Sequence, residues 1–159
     1  MLVSEIIYRY NSERPNEVED SRKLAYIRQV EKYILNECVK THEMDSRIDS
    51  IIRNRIDELN KYAETEEEYE VVNKALTESD FNKYFEYFDG NYELLADEPY
   101  DDMYIHYIDM KIASAQNEQK RYNAASTMYN NCYITFQDSY NRTHLPLSKP
   151  LNCVHHRLL

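Results

Sequence analysis

A single glycine, Gly90, in 159 residues is the strongest constraint on what this chain can fold into. Sheet-rich folds need many tight turns, and turns with positive φ draw on Gly or Asn. A chain so poor in glycine is therefore predicted to be mainly helical. The same scarcity removes any Gly-rich phosphate loop. The length corresponds to one domain able to bury roughly two thirds of its surface.

Helical periodicity supports that reading. Val3, Ile6, Ile7 and Tyr10 predict a short first helix over Leu2 to Tyr10, and Asn11 to Asn16 read as a connector because Pro15 disfavours helix at Arg14. A second helix is expected from Asp20 or Ser21 to about Thr41, with Leu24, Ile27, Val30, Ile34 and Cys38 on one face. From Glu43 to Asn91 the character changes. Met44, Ile48, Ile51, Ile52, Ile56 and Leu59 form a helical stripe, followed by an acidic run over Glu64 to Glu70. Residues 83–88 read equally as a helical turn or a short strand. This stretch is expected to be an insertion, helical at its start, with a small hairpin between residues 69 and 90 and a turn at Asp89-Gly90-Asn91.

The stretch from Pro99 to Pro146 organises the rest. Tyr100, Tyr104, Tyr107, Ile108, Lys111, Ile112 and Ala115 fall on one stripe, and Tyr122, Ala125, Tyr129, Cys132, Tyr133, Phe136 and Tyr140 repeat the device. Asn117-Glu118 interrupts the stripe, predicting a short turn between antiparallel helices over residues 99–141, with Pro99 at the first helical position. Beyond residue 143, the segment 144–159 is apolar and broken by Pro146 and Pro150. Its Leu145, Leu147, Leu151, Val154 and Leu158 mark an extended tail that docks on its own domain or on a partner.

Composition narrows the function. The chain carries a net charge of −10, with 30% of residues charged. Counterion release on nucleic acid needs clustered Lys and Arg, so wrapping DNA is disfavoured, whereas passing beside it is not. Arg47, Arg53 and Arg55 form the one local basic cluster, interleaved with Asp45, Asp49 and Asp57. It is the basis of an alternative reading as a small helical regulatory or nucleic-acid-associated module. No apolar run reaches the length of a membrane span, and the N-terminus does not read as a secretory signal. Cys38, Cys132 and Cys153 have no CxxC spacing and suit a reducing compartment.

Candidate chemistry is sparse. Cys153, His155 and His156 lack the second half of a zinc site. Asp102 and His106 lie at i, i+4, the spacing of a helix-surface ion pair. Cys132 sits within the aromatic stripe as a small hydrophobe. No catalytic, cofactor-binding or metal-binding set emerges, and an enzyme is not expected. The informative feature is the tyrosine content, sixteen Tyr and no Trp. Tyrosine joins an apolar ring to a polar tip, and serves both cores and protein interfaces. Tyr100, Tyr104, Tyr107, Tyr122, Tyr129, Phe136 and Tyr140 are expected to carry core or inter-subunit packing. Arg121 and Arg142 are expected to form ion pairs that fix helix or subunit register.

Several local patterns combine into a longer one. Glu93-Leu94-Leu95, Pro99-Tyr100-Asp101, Tyr104, Tyr107, Asn117-Glu118, Arg121-Tyr122-Asn123, Met128-Tyr129-Asn130 and Tyr140-Asn141-Arg142-Thr143-His144-Leu145-Pro146 follow one another in order. Together with Pro15-Asn16 and Thr41-His42-Glu43, this resembles the small phage proteins known as head–tail connectors. The likeness covers about two thirds of the chain; it departs from the family at Asn117-Glu118, where an Asn-Gly-Glu turn is usual, and in the longer Glu43–Asn91 stretch. The resemblance implies a helical adaptor domain over residues 1–143; the chain beyond Pro146 departs from the family, so a docking tail over 144–159 rests on its apolar, proline-broken composition alone. It also implies a virion structural protein at the head–tail interface, present in the host cytoplasm during assembly. Such a protein forms a ring of identical subunits, commonly twelve, beneath the portal protein. It extends the channel through which genomic DNA passes without specific binding, and it docks the next tail or stopper protein. No membrane association is implied.

Overall fold

The helix that fills the centre of the molecule is the one whose sequence is apolar on more than one side. In the computed structural model, which describes residues 1–62 and 75–147, six α-helices are present among the described residues: α1 (Val3–Glu13), α2 (Asp20–Ile34), α3 (Ser46–Tyr62), α4 (Glu78–Tyr84), α5 (Asp102–Ala115) and α6 (Gln119–Thr143). α2 continues without a break into a π-helical turn, Leu35–Val39. The protein is mainly helical, and no strand forms among the described residues.

α5 buries Met103, Tyr104, Ile105, Tyr107, Ile108, Ile112 and Ala113, far more than one stripe. It is enclosed by α6, α2 and α1, which is what a helix apolar around most of its circumference requires. Ala115, expected on the stripe, is exposed at the helix end. α5 and α6 form the long antiparallel pair. Their junction solves the missing-glycine problem with asparagine. Asn117 adopts φ +59°, Glu118 N–H donates to Ala113 C=O at 2.9 Å and Asn117 N–H to Ser114 C=O at 3.3 Å. This is a Schellman ending with Asn in the left-handed position.

Pro99 does not open α5. It follows Glu98 through a cis peptide bond inside a turn closed by Tyr100 N–H to Asp97 C=O at 2.8 Å, and α5 begins three residues later. α1 likewise runs to Glu13, past Tyr10. The connector after it is tightly specified: Asn16 spans Arg14 C=O and Val18 N–H, and the buried Lys23 ammonium donates to Asn11, Val18 C=O and Asp20.

The hairpin expected between residues 69 and 90 does not form over the described part of that stretch; residues 69–74 lie outside the described residues. Residues 78–84 make α4, started by a capping box in which the N-cap Thr77 and Asp80 exchange hydrogen bonds. Residues 85–96 are irregular and close onto the core through Phe85, Tyr92, Leu94, Leu95 and Ala96. Ile48, Ile51, Ile52 and Ile56 of α3, with Phe81 and Tyr84, belong to the same hydrophobic core as α5. Gly90 sits in the turn as expected but not at positive φ; that conformation falls to Tyr87, at +38°, and Asn117. The turn instead caps α1, with Ser4 N–H donating to Gly90 C=O and Val3 N–H to Tyr92 C=O, both at 2.9 Å. Two of the four N–H groups left over at a helix start are satisfied this way.

Candidate functional site

The aromatic residues of the helix pair pack within the subunit. Tyr104 and Tyr107 are buried on α5, and Tyr129, Phe136 and Tyr140 on α6. Their rings form a tilted Tyr107–Tyr129 contact at 4.9 Å and a T-shaped Tyr100–Phe136 contact at 5.5 Å, both in the range where aromatic pairs attract. Tyr100 and Tyr122 are half-buried. The polar tips reach neighbouring elements: Tyr107 donates to Gln29 at 2.7 Å, Tyr140 to Glu43 C=O at 3.3 Å, and Tyr133 to Glu37.

The two arginines behave differently. Arg121 donates twice to the Asp109 carboxylate, from Nε at 2.9 Å and from Nη2 at 2.6 Å, and also to Glu118. It therefore fixes α6 against α5. Arg142 is exposed and forms no ion pair among the described residues. It lines a shallow cleft of about 320 Å³ with Tyr100, Thr135, Asp138, Ser139 and Thr143.

Asp109 is the centre of a buried polar cluster that the sequence pattern did not reveal. Besides Arg121 it receives Arg14 and the Tyr10 hydroxyl. Burial alone would raise its carboxyl, but the hydrogen bonds from Arg121 and Arg14 outweigh it and hold it below the usual carboxylate range. The same burial, and the Asp109 charge, push the Tyr10 phenol up to about 12. Two turns earlier, Asp101 and Asp102 both receive the Arg9 guanidinium. Asp102 thus pairs with α1 and not with His106, whose half-burial lowers its imidazole below the ordinary value.

A second node joins α2, α5 and the irregular 94–96 segment. Glu31, fully buried, accepts Leu95 N–H at 3.1 Å and the Tyr104 hydroxyl. The Tyr104 oxygen in turn accepts Ala96 N–H at 3.2 Å. Desolvation pushes the Glu31 carboxyl up to about 8, against the hydrogen bonds and the nearby Arg47 charge that lower it. A signal for these residues was present in the sequence. Glu31 lies four residues after Ile27 and three before Ile34, on the apolar stripe itself, and Lys23 lies four before Ile27.

The local basic cluster is engaged internally. Arg47 donates to Leu94 C=O and Leu95 C=O, each at 3.0 Å, Arg55 to Tyr87 C=O at 2.7 Å, and Arg53 to Asp49 at 2.7 Å. Arg47 and Arg55, with Arg28, which donates to Phe85 C=O at 2.9 Å, satisfy carbonyls of the irregular segment that no helix or sheet partner reaches.

The tail begins by docking on its own chain. The Tyr140 and His144 rings stack at 4.1 Å. Residues 145–147 then run antiparallel to 41–43, through Glu43 N–H to Leu145 C=O at 2.7 Å and Leu147 N–H to Thr41 C=O at 3.0 Å. Leu145 and Leu147 remain 68% and 50% exposed, and Leu147 borders a cleft of about 530 Å³ with Val39, Met44, Leu76 and Phe81 on its apolar side. Leu151, Val154 and Leu158, and the Cys153–His156 group, lie outside the described residues.

Among the described residues no three His, Cys, Asp or Glu side chains are grouped to hold a metal ion, and no helix is long and apolar enough to cross a membrane. Burial pushes the Cys38 thiol up to about 12, the opposite of an activated nucleophile. No protein-family model, curated protein or solved structure matches this chain.

Proposed function

We propose that this chain is a virion structural protein, the head-to-tail adaptor of a bacteriophage, which assembles as a ring beneath the portal, extends the DNA channel and docks the next tail component. The observation that carries the reading is where the residues of the connector-like pattern fall. Asp101 receives Arg9, Arg121 ties α6 to Asp109, Asn117 makes the helix turn, and Tyr140 to Pro146 fasten the end of α6 onto residues 41–43. The pattern marks joints of a scaffold, as expected of a subunit whose work is assembly. The buried charged residues likewise join elements to one another. A net charge of −10 suits a channel wall along which DNA slides, since like charges repel.

The test is the mass of the purified protein by light scattering, alone and mixed with the portal of its phage. Recruitment to the portal in a fixed stoichiometric ring supports the reading. A protein that ignores the portal overturns it. The tail is read as a portal-docking arm, and a chain ending at Pro146 is expected to lose recruitment while keeping its helical circular dichroism. Binding of random duplex DNA at about 0.15 M salt would favour the nucleic-acid-associated module instead.

A further inference from the structure

α6 contains the longest departure from the charge pattern of the chain. From Tyr122 to Gln137 not one residue is charged, although 30% of all residues are. Part of that stretch is accounted for by the side that packs on α5. The rest faces outward and packs on no other element among the described residues: Asn123, Ala124, Thr127, Met128, Asn131 and Ile134 are all exposed. Solvent alone does not favour such a face. Exposed helical positions are ordinarily held by strong helix formers in i, i+4 charge pairs, whereas Asn and Thr are weak helix formers.

The geometry of this face is that of a helix-packing seam. Ala124, Thr127, Asn131 and Ile134 are spaced by three, four and three residues, which places them on one line along the helix. The hydroxyls that would make the surface polar are turned inward: Thr127 Oγ1 donates to Asn123 C=O at 2.9 Å and Thr135 Oγ1 to Asn131 C=O at 2.7 Å. With each hydroxyl satisfied on its own helix, less polar surface must be stripped of water on contact. Met128 and Ile134, 49% and 54% exposed, supply apolar bulk.

We infer that the outer face of α6, centred on Ala124, Thr127, Asn131 and Ile134, is the surface on which a second copy of this chain packs. Charge selects the occupant. Two copies that each carry −10 repel over most of their surfaces, and an uncharged face is where they approach without that penalty. A basic partner would be served better by the acidic remainder of the molecule. The seam spans about three helical turns, a contact at the small end of protein interfaces, so a single pair associates weakly and a closed ring gains by repetition. This assignment specifies a subunit contact within the ring proposed above and rests on that reading for closure.

The test compares the full chain with two double variants, Thr127→Glu/Asn131→Glu and Thr127→Lys/Asn131→Lys. Each is followed by sedimentation from micromolar to millimolar concentration at about 0.15 M salt, where long-range repulsion is screened. All four new side chains sit at exposed positions, and unchanged circular dichroism and melting establish that the fold is kept. The mass of the natural chain is expected to rise with concentration, and both variants to associate at least about tenfold more weakly, because either charge must be desolvated in the seam. The lysine variant is the decisive one. It makes the chain less negative, so an effect of net charge alone would strengthen association. Association of either variant at natural strength overturns the inference, as does a natural chain that stays monomeric throughout. Failure to bind the portal by a chain that self-associates through this face would sink the adaptor reading alone.

Discussion

Glu31 gives the sharpest quantitative test of the fold. Its carboxyl is fully buried between α2, α5 and the 94–96 segment, and is pushed up to about 8 from an ordinary value of 4.5. Because the folded value lies above the unfolded one, the stabilising contribution is complete below about pH 4.5 and is lost as pH rises toward 8. Across that window the folded chain holds one proton more than the unfolded chain, so unfolding free energy falls by about 1.4 kcal/mol per pH unit from this residue. From about pH 5 to about pH 7.5 that amounts to about 3 kcal/mol, a large share of the roughly 5–15 kcal/mol typical of a domain. His106 works in the opposite direction, since its lowered imidazole adds stability as pH rises, and Asp109 acts only at lower pH. The experiment therefore compares the natural chain with Glu31→Gln by urea unfolding at each pH, so that other titrations cancel. In the Glu31→Gln variant the amide oxygen placed at Oε1 keeps the Tyr104 hydroxyl and the longer Leu95 N–H bond, while the amide nitrogen replaces Oε2, the nearer acceptor of Leu95 N–H. That cost does not depend on pH and cancels when the difference is followed across pH. The stability difference between the two proteins should change by about 3 kcal/mol between about pH 5 and about pH 7.5. A difference that stays constant within about 0.5 kcal/mol would refute the reasoning, since it would mean that Glu31 is solvated in the folded state.

Three further outcomes follow from the same structure. Asn117→Ala should cost about 1 kcal/mol in thermal or chemical unfolding, because Ala is strained at φ +59°, while Asn117→Gly should be neutral or stabilising by up to about 1 kcal/mol. Asp109→Asn should destabilise by about 2–4 kcal/mol at about pH 7, leaving Arg14 and Arg121 without their shared carboxylate. Since the folded value of Asp109 is lowered, its contribution is present above the unfolded value and lost as pH falls through the folded one, so the natural chain and the variant should converge in acid. Phe136→Ala should cost about 3–4 kcal/mol by emptying the contact between Tyr100 and Tyr140, with α-helical circular dichroism retained at low temperature.

Much of this fold is legible without coordinates because it rests on local regularities. The want of glycine, the 3.6-residue stripes and the Asn117-Glu118 interruption determine a helical chain with an antiparallel pair near residues 99–141. The aromatic stripe of that pair also contains the rings that meet across it, since a helix places i, i+3 and i+4 on one face wherever it packs. Tertiary structure decided the rest. It made α5 the enclosed helix, it turned residues 78–84 into α4 where the sequence predicts a hairpin, and it set Pro99 in a turn ahead of α5. It also chose the partners of the charged residues: Arg9 with Asp101, Arg121 with Asp109, Glu31 with Leu95 and Tyr104. Those partners lie up to 92 residues apart, and no local pattern encodes which of many acids and bases will meet. The difference is physical: periodicity is fixed by the geometry of one helix, whereas the pairing of buried charges is fixed by where several helices come to rest and by the cost of leaving any one of those charges dry and alone.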